Sequence, residues 1–162
     1  ETVFEVASRV HQERPDVHLV VVGELTSDLE AYAESLGLGE KIHVLTHVMR
    51  EDMATLYTTA SVLLFPSLYE GYGLPVLEAQ LCGTPVVCSN AASLPEVAIG
   101  SSTLCNPQDV KSLTVAVLSS LGKRVAPQLA EGDHTRWQST HGQIYSAVLA
   151  SPTRLKKGSE LA

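Results

Sequence analysis

Two glutamates bracket the stretch of this chain in which side chains and backbone could together grip a ligand: Pro66-Ser67-Leu68-Tyr69-Glu70-Gly71-Tyr72-Gly73-Leu74-Pro75-Val76-Leu77-Glu78. A helix is expected to start near Pro75, because proline at the first helical position gives up an N–H that would have no intrahelical partner anyway. The remaining N–H groups, from about Tyr72 to Leu77, are then free to face a ligand, and Gly71 and Gly73 let it approach the backbone with no Cβ in the way. Together with the helix dipole this makes an anion site. Carboxylates repel phosphate but accept hydrogen bonds from hydroxyls. A ligand carrying both phosphate and sugar hydroxyls would therefore satisfy amides and glutamates together. The ordinary alternative is a solvated loop acid at Glu70 and a helix-dipole partner in the first turn at Glu78. A dinucleotide fingerprint is absent, since no GxGxxG occurs, and no Walker lysine follows the glycines.

Other reactive residue types are scattered. Of the six histidines, at 11, 18, 43, 47, 134 and 141, only His43 and His47 have ligand-like spacing. Those two fall on a strand and its exit, whereas that spacing converges on a metal only on a helix, so no metal is expected. Ser67 and Ser89 lack a recognisable His and Asp partner motif, which argues against nucleophilic hydrolysis. The three cysteines, Cys82, Cys88 and Cys105, form no CxxC pair. Cys82 and Cys88 fall at a buried helix end and in a strand, as small hydrophobes suited to a reducing cytoplasm. Eighteen acids against eleven Lys and Arg give a net charge of -7 with no basic face, so nucleic acid lacks its electrostatic footprint. The longest apolar stretch, around His18 to Val22, is far short of the roughly 20 residues that span a bilayer.

The elements that would carry these residues alternate. Val3, Phe4, Val6, Ala7 and Val10 recur at helical spacing up to Arg14-Pro15. His18 to Val22 is a continuous β-branched run, which suits a strand buried on both faces. Thr26 or Ser27 caps a helix over Leu29 to Leu36, ended by Gly37. Lys41 to Leu45 reads as a strand, Glu51 to Ala60 as a helix, and Val62 to Pro66 as a strand. The helix from Pro75 to Cys82, a strand at Pro85 to Cys88, a short helix at Leu94 to Val97 and a brief strand at Thr103 to Cys105 follow. Asp109 then caps a helix running to Leu121. Strands alternating with helices over short loops predict a Rossmann-like, doubly wound parallel α/β sheet. Residues 1–121 form that domain, 122–150 a crossing segment and terminal helix, and 151–162 a loose polar tail. Because a doubly wound unit opens with a strand, the helix at the start implies that a first strand lies upstream of Glu1.

Glu70 and Glu78 have the E-x7-E spacing of retaining glycosyltransferases of the GT-B fold, and the words around them match too. From Phe65 to Ala79, then Cys82-Gly83-Thr84-Pro85-Val86-Val87, then Ser93-Leu94-Pro95-Glu96-Val97, the chain resembles glycosyltransferase group 1, family 4. The likeness covers most of residues 1–150, including the helix from Trp137 to Tyr145. It implies the carboxy-terminal, donor-binding half of an enzyme that moves a sugar from a nucleotide diphosphate sugar to an acceptor hydroxyl, with no cofactor. On that resemblance Glu78 accepts from the ribose hydroxyls and Glu70 contacts the donor sugar. The backbone around Gly71, Tyr72, Gly73 and Leu74 holds sugar and diphosphate, and Gly23, Val48 and Met49 line the base pocket. Thr46 stands where the family commonly has glycine. The Arg and Lys that neutralise the diphosphate in the family lie after its first strand and have no match here, nor do Arg9 and Arg14 replace them. The acceptor-binding amino-terminal domain has no counterpart in this sequence either. A GT-B sugar-nucleotide epimerase and a non-catalytic nucleotide-sugar-binding scaffold remain as alternatives.

Overall fold

A computed structural model describes residues 1–127. In chain order the elements are α1 (Thr2–Glu13), β1 (Leu19–Val22), α2 (Ser27–Ser35), a 3-10 turn (Gly39–Lys41), β2 (Ile42–Leu45), α3 (Arg50–Thr59) and β3 (Leu63–Phe65). There follow α4 (Leu74–Leu81), β4 (Val86–Ser89), α5 (Leu94–Val97), β5 (Thr103–Cys105) and α6 (Val110–Ser120). The sequence signals for the ends act as expected. The Thr26 hydroxyl accepts from the Leu29 N–H at the start of α2, and Asp109 accepts from the Ser112 N–H at the start of α6. Gly37, just past α2, takes φ +76°, which costs glycine no Cβ clash.

All strand pairs are parallel, as the alternation predicts, but they fall into two sheets. β1 pairs with β2, Leu19 opposite Ile42 through Val22 opposite Leu45, while β4 lies between β3 and β5. Helix α1 spans the break. Its Val6 and Val10 share a core with Val87, Cys105, Leu113 and Val117, whereas its Phe4 packs with Ala33, Leu38 and the inward residues of β1, Leu19 and Val21. A third core gathers Tyr57 of α3, the buried face of α4, Val86 and Cys88 of β4, and Leu94 and Val97 of α5. Thus β4 is covered on both faces, and all four of its residues are buried.

The expectation that β1 is buried on both faces is not met. Val20 is 48% and Val22 47% exposed, and the strand alternates. The reason is helix placement: α1 and α2 cover one face of β1 and β2, while α3, α4 and α5 collect over β3 and β4. After α6 the chain turns at Gly122 and runs back, so that the Val125 N–H donates to the Gly83 carbonyl at 3.3 Å. The terminal helix and tail expected beyond residue 127 lie outside the described residues.

On the exposed side of β1 and β2 the rings of His18 and His43 meet, Nδ1 to Nε2, at 2.7 Å. Their centroids are 5.0 Å apart with planes 1° from parallel. That separation is the N···N distance plus two ring radii, so the rings lie head to head in one plane, one donating and the other accepting. Only one proton fits between them. Desolvation, then Lys41, His43 and His11, hold the His18 imidazole below its ordinary value of 6.5. The unfolded chain therefore takes up protons first, and the stability due to the pair is present above about pH 6.5 and lost as pH falls. Melting temperature should drop between about pH 7 and pH 5.5 in the parent chain, and by less in His18→Gln. Equal drops in both would remove the dyad from the pH response.

Candidate functional site

The glutamate loop leaves β3 and is shaped by the segment that opens α5, with Ser93 lying 23 positions beyond Glu70. The Ser93 hydroxyl donates to the Glu70 carbonyl at 2.9 Å. Gly73, the residue before α4, has φ +88° and ψ 41°, and a Cβ there would lie 2.6 Å from Cδ2 of Leu94. Leu94 is fully buried at the head of α5. Ser93 and Leu94 therefore act as the mould of the loop, a role that neither the short-helix reading of this segment nor its match to the family's words discloses. Gly71 is exposed and has no atom within 4 Å of its would-be Cβ. Tyr72 packs against the third core, and Leu74 is 38% exposed.

Helix α4 opens at Leu74 with Pro75 second, one residue earlier than expected. This alters the donor count. The N–H groups of Val76 and Leu77 both donate to the Gly73 carbonyl, at 3.1 and 3.3 Å, so they are not free for a ligand. The Gly71, Gly73 and Leu74 N–H groups have no hydrogen-bond partner among the described residues. The available amides thus sit in the loop and at the first helical residue, not along the whole first turn. Gly73 is itself buried, and a buried N–H calls for a partner.

Glu78 lies in the second turn of α4, whose first turn has no acidic residue, so the role of a first-turn dipole partner does not apply. The Tyr57 hydroxyl of α3 donates to its Oε2 at 3.1 Å. Burial foremost, then the charge and hydrogen bond of Glu78, pushes the Tyr57 phenol far above its ordinary range. Burial and the same carboxylate push the Cys82 thiol, one turn further along α4, up to about 11. Gln80, also buried, donates to the Val97 carbonyl and accepts from the Ile99 N–H and the Ser102 hydroxyl, so α4 is tied to α5 and its exit. Sequence reasoning missed Tyr57 and Gln80. The available signal for Gln80 was an amide inside an otherwise apolar helix.

The remaining candidates sit at the carboxyl ends of their own strands, where ligands bind in open parallel sheets. Gly23 follows β1 with φ +127°, and its N–H extends the pairing to the Leu45 carbonyl at 3.0 Å. Val48 is half-buried and Met49, 61% exposed, precedes α3, just after His47 at φ +57°. No hydrogen bond among the described residues joins Gly23, Val48 or Met49 to the stretch from Glu70 to Glu78. Arg14 is engaged with Asp16 at 2.8 Å before β1, at the opposite strand end from Gly23. The histidine pair that the fold assembles is His18 with His43, not His43 with His47. The three cysteines are free and buried, and burial, with Cys105 nearby, raises the Cys88 thiol to about 11.

The glycosyl transferases group 1 family matches residues 1–128. The chain belongs to that family. It is 39% identical over 112 residues to O-antigen chain mannosyltransferase B of Escherichia coli, covering 65% of this chain and 29% of that protein. Against the MMP alpha-(1->4)-mannosyltransferase of Mycolicibacterium hassiacum it is 34% identical over 165 residues, covering 91% of this chain and 39% of the relative. The chain thus spans well under half the length of these relatives. Among solved structures, it matches the C-terminal domain of the group 1 glycosyl transferase LpcC from Francisella tularensis with a TM-score of 0.62 and 20% identity, covering 91% and 72% of the two chains. Anabaena HepE, solved with UDP-glucose, matches with a TM-score of 0.62 and 20% identity over 89% of this chain and 38% of that one. The fold is that of a GT-B carboxy-terminal domain.

The loop geometry yields a contrast between its glycines. Gly73→Ala should lose about 1–2 kcal/mol to the left-handed backbone alone, and more because Leu94 must move. Gly71→Ala should stay within about 0.5 kcal/mol of the parent chain. Urea unfolding of both variants measures the difference, and equal stabilities would contradict the Gly73–Leu94 contact.

Proposed function

We propose that this chain is the donor-binding part of a retaining glycosyltransferase that passes a hexosyl group from a nucleotide diphosphate sugar to an acceptor hydroxyl. The observation that carries the reading is the pairing of unengaged loop amides at Gly71, Gly73 and Leu74 with a carboxylate held one turn inside the same helix. Family membership and the nucleotide-sugar complex of HepE support it, as do the mannosyltransferases among the relatives. In this reading Glu78 accepts from the ribose hydroxyls and Glu70 from the transferred sugar. The amides stabilise the departing diphosphate, the electrostatic part of the catalysis. Gly23, Val48 and Met49 border the base. The reduced, buried thiols fit a cytoplasmic parent.

A donor half alone cannot orient an acceptor or exclude water from the reacting bond. The isolated chain should therefore turn over no donor, and detection of sugar transfer by it would contradict the reading. If the loop amides are what meets the diphosphate, the dissociation constant of the isolated chain for UDP should be about 0.1–1 mM or weaker, at most about 4–5.5 kcal/mol.

The two glutamates should separate by ligand. Glu78→Ala should weaken UDP and UDP-glucose alike, by about 1.5–3 kcal/mol for hydrogen bonds to a charged acceptor. Glu70→Ala should leave UDP nearly unchanged and weaken only the sugar-bearing ligand. NMR titration of both variants with both ligands gives the four comparisons. Equal losses for Glu70→Ala, or none for Glu78→Ala, would return the pair to a solvated loop acid and a surface helix glutamate.

A further inference from the structure

We infer that Tyr57 is a positioning residue for Glu78: its buried hydroxyl, donating to Oε2 at 3.1 Å, restricts the rotamers of the carboxylate that meets the ribose diol. This rests on the reading of Glu78 as ribose acceptor. Glutamate has three rotatable side-chain bonds, and half-buried on a helix it could adopt several rotamers. Tyr57 is 7% exposed, within the core formed by α3, α4 and α5, so its ring cannot follow a wandering carboxylate.

A closed circuit of hydrogen bonds sets the ring's own position. The Tyr57 carbonyl lies in the last turn of α3, where carbonyls run out of intrahelical donors. It accepts from the hydroxyl of Thr84, which is 1% exposed. The Thr84 N–H in turn donates at 2.9 Å to the carbonyl of Ala79, the residue next to Glu78. Side chain and backbone of Tyr57 are thus both tied to α4, one at the carboxylate and one through the turn after Gly83.

The chemistry of the donor suits the task. A phenol donates to a carboxylate without bringing a positive charge of its own, and a carboxylate is a strong acceptor for hydroxyls. A lysine or arginine in the same place would bind the carboxylate and compete with the ligand. Burial and the nearby charge keep the phenol protonated, so the donor persists throughout the physiological range.

The test compares nucleotides with and without the diol. UDP and GDP are titrated against their 2′,3′-dideoxy counterparts, in the parent chain, Tyr57→Phe, Glu78→Gln and the double variant. The preference is read in whichever series binds more tightly. The parent chain should prefer the ribonucleotide by about 10-fold. In Tyr57→Phe that preference should fall to about 3-fold or less, while affinity for the dideoxy nucleotide and the unfolding midpoint change little. In the Glu78→Gln background, adding Tyr57→Phe should have no further effect on the preference. A Tyr57→Phe variant that retains the full preference overturns the inference, as does one that loses affinity for both nucleotides equally alongside stability. If the parent chain itself shows no preference, the ribose role of Glu78 fails, and the inference falls with it.

Discussion

Helix α4 spans Leu74–Leu81, too short to hold together on its own, since isolated helices below about 12 residues are marginal in water. It persists because Val76, Leu77, Ala79, Gln80 and Leu81 are all buried, leaving little freedom to slide or rotate. The site inherits its geometry from that burial. The Leu74 N–H, the Gly73 turn and the backbone of Glu78 are all parts of α4 or its first cap, so they move only if the core moves, and the Glu78 carboxylate is tied to the same core through Tyr57. Burial also demands that Gln80 be satisfied, and its contacts with Val97, Ile99 and Ser102 bring α5 into the same rigid unit. From α5, Ser93 and Leu94 reach back to shape the loop that precedes α4. The loop is thus clamped from both sides by elements that exist for packing.

The break between the sheets divides the proposed site. Glu70 to Glu78 follows β3 in the three-stranded sheet, whereas Gly23, Val48 and Met49 follow the strands of the two-stranded one. Helix α1 is the structural bridge, with Phe4 in one core and Val6 and Val10 in another. On the proposed reading, the two parts of the site are held relative to one another by α1, through its apolar packing and its hydrogen bonds to α2, where Ser8 donates to the Leu36 carbonyl at 2.8 Å and the Tyr32 hydroxyl to Glu5 at 3.0 Å. The single helical cover of β1 and β2 leaves Val20 and Val22 at the surface, unlike β4, so the two-stranded part carries less buried apolar area to resist local opening.

Legibility in the sequence followed the range of the interaction concerned. Helix α5 and strand β5 match the expectation to the residue because caps, prolines and turn glycines act locally. The glutamate pair and Gly73 stood out because spacing and motif are local as well. What escaped depended on distant partners. Tyr57 recurs at helical spacing with Met53 and Leu56 and reads as core, which it is. Its hydroxyl acquires a task only because Glu78, 21 positions away, packs beside it. The His18–His43 pair spans 25 positions and two strands. A β-branched run such as His18 to Val22 says that a strand will form but not how many of its faces helices will cover, because that is decided by the placement of α3, α4 and α5.

The electrostatics give the site its character. Acids outnumber bases by seven in this chain, and glutamates stand on both sides of the loop amides. Such a surface is a poor trap for a diphosphate by charge alone, since the long-range field is repulsive. On the proposed reading, selection for a sugar-bearing anion rests on short-range groups. Amides reach only as far as a hydrogen bond, and a carboxylate rewards a hydroxyl that comes close enough to donate. Contacts of this kind are screened by salt much less than lysine or arginine pairs across solvent. They also discriminate by shape, because each donor and acceptor must be met in place. Holding Glu78 with the buried, protonated phenol of Tyr57 adds to that discrimination, because a carboxylate fixed at one oxygen presents its hydrogen-bonding directions in place rather than as an average over rotamers.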